Sequence, residues 1–375
     1  MKKAIIAWSL IVVSITINAQ SKRAKMEFNK QVDSLFSSIY QKADEPGAAV
    51  LIMKNGKKVF ERCYGIEDIT SQKPITPRTN FCIASVSKQF SAVAIMQLAE
   101  KKLLSLDDNL KKFFPEYKAD FYNRIKLRHI LSHASGIPDT RNRSDRNFVL
   151  YSTDVESCKY MIDLDKLHFE PGTQYEYINP TFQLVYQIIP RVTGIDFDTY
   201  MKKYIFDIAG MKHTTYFEAN KKIENMAHGY SFDKTKDKYV ENDYGEANFF
   251  ASKADGGLYT SITDFAKWEK ALRDDKVWSE QSKEMAYSPK IMIPKTAEYG
   301  YNKDTGYGYG FFIQQIPGKP KIVYHLGDNG GFTIYAGKIP SKDILVLFFS
   351  NRDDIDRIAT ADQIYSMIEK ANWLE

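Results

Sequence analysis

The chain has 375 residues, 43% of them hydrophobic and 26% charged, with a formal net charge of +5. This is the composition of a soluble globular protein, long enough for one large domain or two lobes. Lys2 and Lys3 supply two of the positive charges, and the remaining bias is too weak to suggest nucleic acid or an anionic membrane as partner. No Lys/Arg-rich block, RNA-binding aromatic motif or zinc-finger spacing occurs.

Residues 1–19 read as a signal peptide: Lys2-Lys3, an apolar stretch from Ala4 to Val13 and on to Ile17, then Asn18-Ala19 before Gln20. Cleavage after Ala19 is expected. No cysteine follows the cut, which argues against a lipoprotein, and no later segment has the length of a spanning helix. The mature chain is expected to be exported, periplasmic or secreted, with no membrane span.

From Lys25 to Ala43, Phe28, Val32, Leu35, Phe36 and Ile39 form one helical stripe, which Pro46-Gly47 breaks. Ala48–Met53 and Val59–Ile66 flank Asn55-Gly56, the strongest short hairpin signal, so two antiparallel strands follow. The next stretch, Phe81 to Glu100, carries Ser85-Val86-Ser87-Lys88 and then a helix-length apolar run. Ser85 suits an N-cap, and a three-residue step brings Lys88 to the same face. A hydroxyl becomes a useful nucleophile only when a neighbour takes its proton. A poorly solvated lysine is pushed toward the neutral form that can do so, and the helix start offers N–H groups to an oxyanion. The spacing alone is weak evidence. It occurs again at Ser231–Lys234, in a polar stretch, and a capping serine beside a surface lysine accounts for either copy.

Short helices and turns follow at Leu103–Tyr117 and Ile125–Asp139. The signals stay mostly helical to about Tyr230: Pro180 opens a helix that Gly194 ends, and Phe197–Ile208 gives another. One more helix is expected around Ile262–Leu272. Strands then read at Tyr309–Gln315, Lys321–His325, Phe332–Ile339 and Ile344–Ser350, before a helix from about Ile355 to Ala371. Strands at both ends and helices between predict an α+β fold. Its antiparallel sheet would be built from N- and C-terminal strands flanked by helices, with a mainly helical lobe (roughly 103–250) inserted into a single domain over 20–375.

Cys63, Cys82 and Cys158 cannot all pair and lack metal-site spacing, so they read as small buried apolar residues. The scattered histidines show no H-E-x-x-H or similar pattern, and no catalytic metal or cofactor is expected. His133, in LSHASG, reads as a packing or turn residue. The aromatics at Tyr239, Tyr244, Phe249 and Phe250, and at Tyr307 and Tyr309, read more as core than as cleft wall. No G-x-S-x-G is present, which removes the α/β-hydrolase elbow.

Two further motifs stand out. Tyr177-Ile178-Asn179 precedes the Pro180 helix, and His325-Leu326-Gly327 lies among the tail strands. Together with Ser85–Lys88, and with the strings LLSHASGIP (Leu131–Pro138), GMKHT (Gly210–Thr214), ADGGLYTSITDFAKW (Ala254–Trp268) and GYGYGFF (Gly306–Phe312), they make the mature chain resemble a known superfamily. It is that of serine β-lactamases and penicillin-binding proteins, in the branch of class C β-lactamases, D-stereospecific peptidases and related esterases. The resemblance implies that Ser85 forms an acyl-enzyme, that Lys88 shares its proton network, and that Tyr177 is general base or its partner. It implies that Asn179 holds the substrate amide and orients Lys88. Gly327 would let the substrate backbone lie against the strand, and the N–H groups of Ser85 and Asp328 would form the oxyanion hole. A coupled network with no single owner of the proton is expected.

One departure matters. Many relatives carry lysine where this chain has His325, and a histidine is largely neutral near pH 7. Reading His325 as a substrate-binding residue, its pull on a free carboxylate should be weaker, which favours esters, amides or D-amino-acid peptides. No counterpart of a dedicated deacylating glutamate is evident. The leading reading is an exported serine hydrolase for a small-molecule or peptide substrate, with DD-peptidase or weak β-lactamase activity beside it. The alternative is a catalytically silent binding protein for peptidoglycan or a partner. Oligomeric state is not readable from the sequence.

Overall fold

The computed structural model describes residues 23–141, 145, 148, 152–218, 221–242, 252–295 and 304–374; the leader at 1–19 lies outside them. A helix over 23–39 (α1) leads into strands β1 (Ala48–Lys54) and β2 (Lys57–Tyr64). Asn55 and Gly56, with φ of 51° and 69°, make the left-handed two-residue turn that matches the twist of paired strands. Six further strands come from the tail: β3 (Ile291–Met292), β4 (Thr305–Tyr307), β5 (Phe312–Gln314), β6 (Ile322–Asn329), β7 (Phe332–Ile339) and β8 (Ile344–Ser350). They form one antiparallel sheet in the order β3-β4-β5-β6-β7-β8-β1-β2. β1 lies directly beside β8, from Ala48 opposite Ser350 to Lys54 opposite Ile344. The two ends of the chain therefore close one sheet, as the pattern of terminal strands predicts.

The centre of this sheet is buried on both faces. Every residue of β8 (ILVLFFS) is buried, and neighbouring side chains point to opposite sides. Phe348 meets Phe36 of α1 at 5.7 Å, while Phe349 meets Phe265 at 5.5 Å on α4, Ile262–Arg273 in chain order after two helices described next. The first of those, α2 (Lys88–Glu100), is buried from Lys88 to Leu98, all round rather than along one stripe. Phe90 stacks on Trp268 at 4.3 Å, and Trp268 donates its ring N–H to Gln89. The second, α3 (Asn179–Thr193), carries Pro180 in its first turn and packs against α2. The last, α5 (Arg357–Lys370), covers β7, where Tyr335 bonds Tyr365.

Between β2 and β3 the helices at Leu110–Phe113, Leu127–Leu131, Asp154–Cys158 and α3 are joined by a clip of three short strands. Phe81–Cys82 pairs with Leu258–Thr260, which pairs with Thr215–Tyr216. The clip sets residues 255–258 beside the chain entering the Ser85 turn. The second S-x-x-K lies on the hairpin Tyr230–Asp233/Lys238–Glu241, where Ser231 bonds the Asp353 carboxylate instead of a lysine.

The structure corrects several expected boundaries. The tail strand expected to end at His325 continues to Asn329, so His325 and Gly327 lie inside it. The strand expected from Tyr309 begins only at Phe312. The helix expected over Phe197–Ile208 is interrupted by a wider π turn at Lys202–Phe206. Strands β3 and β4 and the helix Glu280–Ala286 are too short to give a periodic signal.

Asn351, fully buried just past β8, fastens three segments. Its Oδ1 accepts from the Gly47 N–H at 2.7 Å, and its Nδ2 donates to the carbonyls of Ile66 at 3.1 Å and His228 at 3.0 Å. Replacing it with alanine strands buried backbone groups. Asn351→Ala should lose about 2–4 kcal/mol in urea unfolding, far more than an exposed Asn→Ala change.

Candidate active site

Ser85 does not cap α2 as the sequence predicts. It lies in a 3-10 turn, Ala84–Ser87, entered through Ala84 at φ +46° and closed by the Val86 N–H on the Ile83 carbonyl. A 3-10 turn eclipses residues three apart, so the Ser85 hydroxyl faces Lys88. Lys88 Nζ donates to Ser85 Oγ at 3.0 Å and to the Asp255 carbonyl at 2.8 Å. Lys88 has no exposed surface. Burial pushes its pKa from 10.5 down to about 8; the Asp255 carboxylate acts against that shift and Arg141 adds to it. Nζ also lies 5.1 Å from the centre of the Tyr177 ring and 5.8 Å from that of Phe182, aromatic faces that tolerate a cation where water is excluded.

Tyr177 and Asn179 arrive on the loop that opens α3. The Asn179 Oδ1 is buried and has no partner among the described residues, so it does not bond Lys88 as the resemblance implies, and it is left as an acceptor for an amide N–H. His133 holds this loop. Its carbonyl accepts the Glu176 N–H at 2.9 Å and its Nδ1 accepts the Ile178 N–H at 3.2 Å. Its ring lies 4.1 Å from that of Tyr177. Nδ1 is an acceptor, so the proton of the neutral ring is on Nε2, and burial with Lys88 nearby keeps the imidazole neutral. His133 therefore does more than pack: it fixes both neighbours of Tyr177.

His325 is equally enclosed, at 1% exposure. Tyr307 donates its hydroxyl to Nε2 at 2.9 Å, and Nδ1–H donates to the Leu326 carbonyl at 2.8 Å. Burial, and secondarily Lys88, push its pKa down to about 3. Both ring nitrogens are used within the chain. The imidazole expected to meet a substrate instead ties β4 to β6.

Gly327 has a second reason to be glycine. A Cβ there would stand 2.3 Å from the Ile83 carbonyl oxygen, so β6 lies directly against the chain entering the Ser85 turn. That contact brings the Asp328 backbone toward Ser85. The Asp328 carboxylate turns away to Arg357 at 2.6 Å, which leaves its backbone for the role the resemblance implies.

Sequence reasoning gave no chemistry to Asp255 or Tyr307, and too little to His133. Their strings were visible, yet what each side chain touches depends on segments far away in the chain. Of the aromatics, Tyr307 backs the site, while Tyr309 faces a groove with Leu106, Arg128 and Met285. Tyr239 bonds Asp354 away from it, and Tyr244, Phe249 and Phe250 lie outside the described residues. All three cysteines are free; Cys82 is buried with its thiol pushed up to about 12.

A wholly buried lysine bonded to a half-buried serine and lying beside a tyrosine ring, on an antiparallel sheet with helices inserted between its strands, fits the serine β-lactamase and penicillin-binding-protein superfamily. The Beta-lactamase family model matches residues 32–366, and the chain belongs to that family. It is 27% identical over 342 residues to Penicillin-binding protein 4* of Bacillus subtilis (strain 168), covering 88% of this chain and 73% of that one. It is 32% identical over 211 residues to Protein flp of Staphylococcus aureus (strain MW2), covering 56% of this chain and only 42% of flp. Among solved structures, the octameric penicillin-binding protein homologue from Pyrococcus abyssi superposes with a TM-score of 0.79 at 30% identity, covering 92% of this chain and 77% of that one.

The buried neutral histidines make stability depend on pH. The unfolded chain takes up protons near pH 6.5, whereas native His325 resists protonation down to about 3. Stability should therefore fall as pH drops below 6.5, by about 1.4 kcal/mol per unit for each such histidine. In urea unfolding between pH 6.5 and 4, His325→Gln should remove about one proton from that slope.

Proposed function

We propose that the protein is an exported serine hydrolase that forms an acyl-enzyme on Ser85. The observation carrying this reading is the wholly buried Lys88 amine bonded at 3.0 Å to the Ser85 hydroxyl. Ser85 Oγ attacks the substrate carbonyl, and its proton passes to Lys88 within the network that includes Tyr177. The oxyanion is met by the N–H groups of Ser85 and Asp328. The same network returns the proton to the leaving alcohol or amine. Water then attacks the acyl carbonyl and Ser85 is released.

The substrate class follows from His325. With its ring neutral and both nitrogens occupied, it supplies no fixed cation for a free carboxylate. This favours esters and D-amino-acid amides or peptides, with β-lactam hydrolysis as a side activity. The buried Asn179 acceptor suits a substrate carrying an amide N–H.

The test is covalent labelling with a fluorophosphonate, followed by turnover of p-nitrophenyl esters, D-amino-acid anilides and nitrocefin. Labelling should vanish in Ser85→Ala and fall at least about a hundredfold in Lys88→Met. Its rate should rise with pH through a midpoint near 8, because the neutral amine accepts the proton and its share grows as pH passes that value. No labelling of the intact protein at any pH would favour the silent binding protein instead.

A further inference from the structure

Among the described residues Lys88 Nζ has two bonding partners, and one comes from Asp255, a residue that no catalytic motif marks. The chain around Asp255 is held from several sides. The Asp154 carboxylate accepts the N–H groups of Lys253 at 2.6 Å and Ala254 at 3.0 Å. Ser91, in α2, donates to the Ala254 carbonyl at 2.5 Å. One turn beyond Asn179, Gln183 donates its amide to Asp255 Oδ1 at 3.1 Å. The Asp255 carbonyl is thereby fixed where Lys88 needs an acceptor.

Asp255 is only 5% exposed. A carboxylate in such a place is costly unless a positive charge faces it. Two do. One is Lys88. The other is Arg141, itself largely buried, which grips Asp139 through Nε at 2.7 Å and Nη2 at 2.6 Å and reaches Ser157 through Nη1 at 3.2 Å. The other groups facing Lys88 are His133, His325 and Tyr177, the two histidines being held neutral. Asp154 and Cys158 lie on the far side, against Asp255.

We infer that Asp255 is the positioning residue of the Lys88 amine: its carbonyl holds Nζ against Ser85, and its buried carboxylate, opposed by Arg141, sets how readily that amine gives up its proton. The significance for catalysis rests on the role proposed for Lys88. The two charges act in opposite directions. The carboxylate favours the ammonium and Arg141 favours the neutral amine. Asp255→Asn keeps the carbonyl and the shape and removes only the charge, so Lys88 should release its proton at lower pH. Arg141→Met should move it to higher pH, the more so because Asp139 then loses its partner.

The experiment is an NMR titration of protein carrying 13Cε-lysine, with the Lys88 signal identified by its loss in Lys88→Met. Fluorophosphonate labelling rates are measured on the same samples from pH 5 to 10. Relative to the unaltered protein, the Lys88 midpoint should fall by about one pH unit in Asp255→Asn and rise by a similar amount in Arg141→Met. The acid limb of labelling should move with it. Circular dichroism establishes that each variant is folded; if Asp255→Asn is not, the upward shift in Arg141→Met carries the test. Midpoints within a few tenths of a unit of the unaltered protein in the folded variants would overturn the inference. Absence of labelling in the unaltered protein would instead overturn the proposed reaction, and the titration would still decide the role of Asp255.

Discussion

The structure depends on one uncomfortable contact, an amine with no access to water lying against a hydroxyl. Lowering the Lys88 pKa from 10.5 to about 8 corresponds to about 3 kcal/mol, a large share of the stability of an ordinary domain. A lysine kept only for packing would avoid that cost by reaching the surface. Here it cannot, because α2 is enclosed on every side and Nζ is held by Asp255, by Ser85 and between aromatic faces. What the protein gains is a neutral fraction of roughly a tenth at pH 7, in place of well under one in a thousand for a solvated lysine.

The rest of the fold maintains that contact. Pairing of β1 with β8 closes the sheet across almost the full length of the chain, and Asn351 locks the junction. The clip formed by Phe81–Cys82 and Leu258–Thr260 places Asp255 behind α2, with the Ile83 N–H on the Leu258 carbonyl at 2.9 Å. On the other side β6 presses against Ile83, which is possible only with glycine at 327. Above the amine, His133 holds the Tyr177 loop by its carbonyl and its imidazole. Each attachment is made by backbone or by a buried polar group with one available orientation. These attachments set the positions of the site's groups through the fold itself, the kind of preorganisation that the proposed reaction would use.

Much of this architecture was legible in the sequence. Asn55-Gly56 announces the hairpin because few other pairs adopt two left-handed residues in succession. Phe332–Ile339 and Ile344–Ser350 match their strands residue for residue, since both are long apolar runs bounded by turn signals. The Ser85 turn was misread for a physical reason: a serine before an apolar run is the usual mark of an N-cap, and nothing local reveals that Ala84 turns left-handed. The substrate-binding role expected of His325 came from its place in the H-x-G motif, with charge setting only how strongly it would pull on a carboxylate. Its actual surroundings are set by Tyr307 on another strand, a contact that only the folded sheet creates. Asp255 and His133 were hidden in the same way, because a side chain that acts through another residue leaves no spacing to count.

The fold and the family are shared by proteins with different names and lengths, so the chemistry of this chain rests on its own pocket. The most direct test is a crystal structure of the protein after reaction with a phosphonate ester. The account predicts phosphorus bonded to Ser85 Oγ, the phosphoryl oxygen within hydrogen-bond reach of the Ser85 and Asp328 backbone N–H groups, and Lys88 Nζ still on the Asp255 carbonyl. An adduct on any other residue, or one on Ser85 whose oxygen points away from both N–H groups, would contradict it.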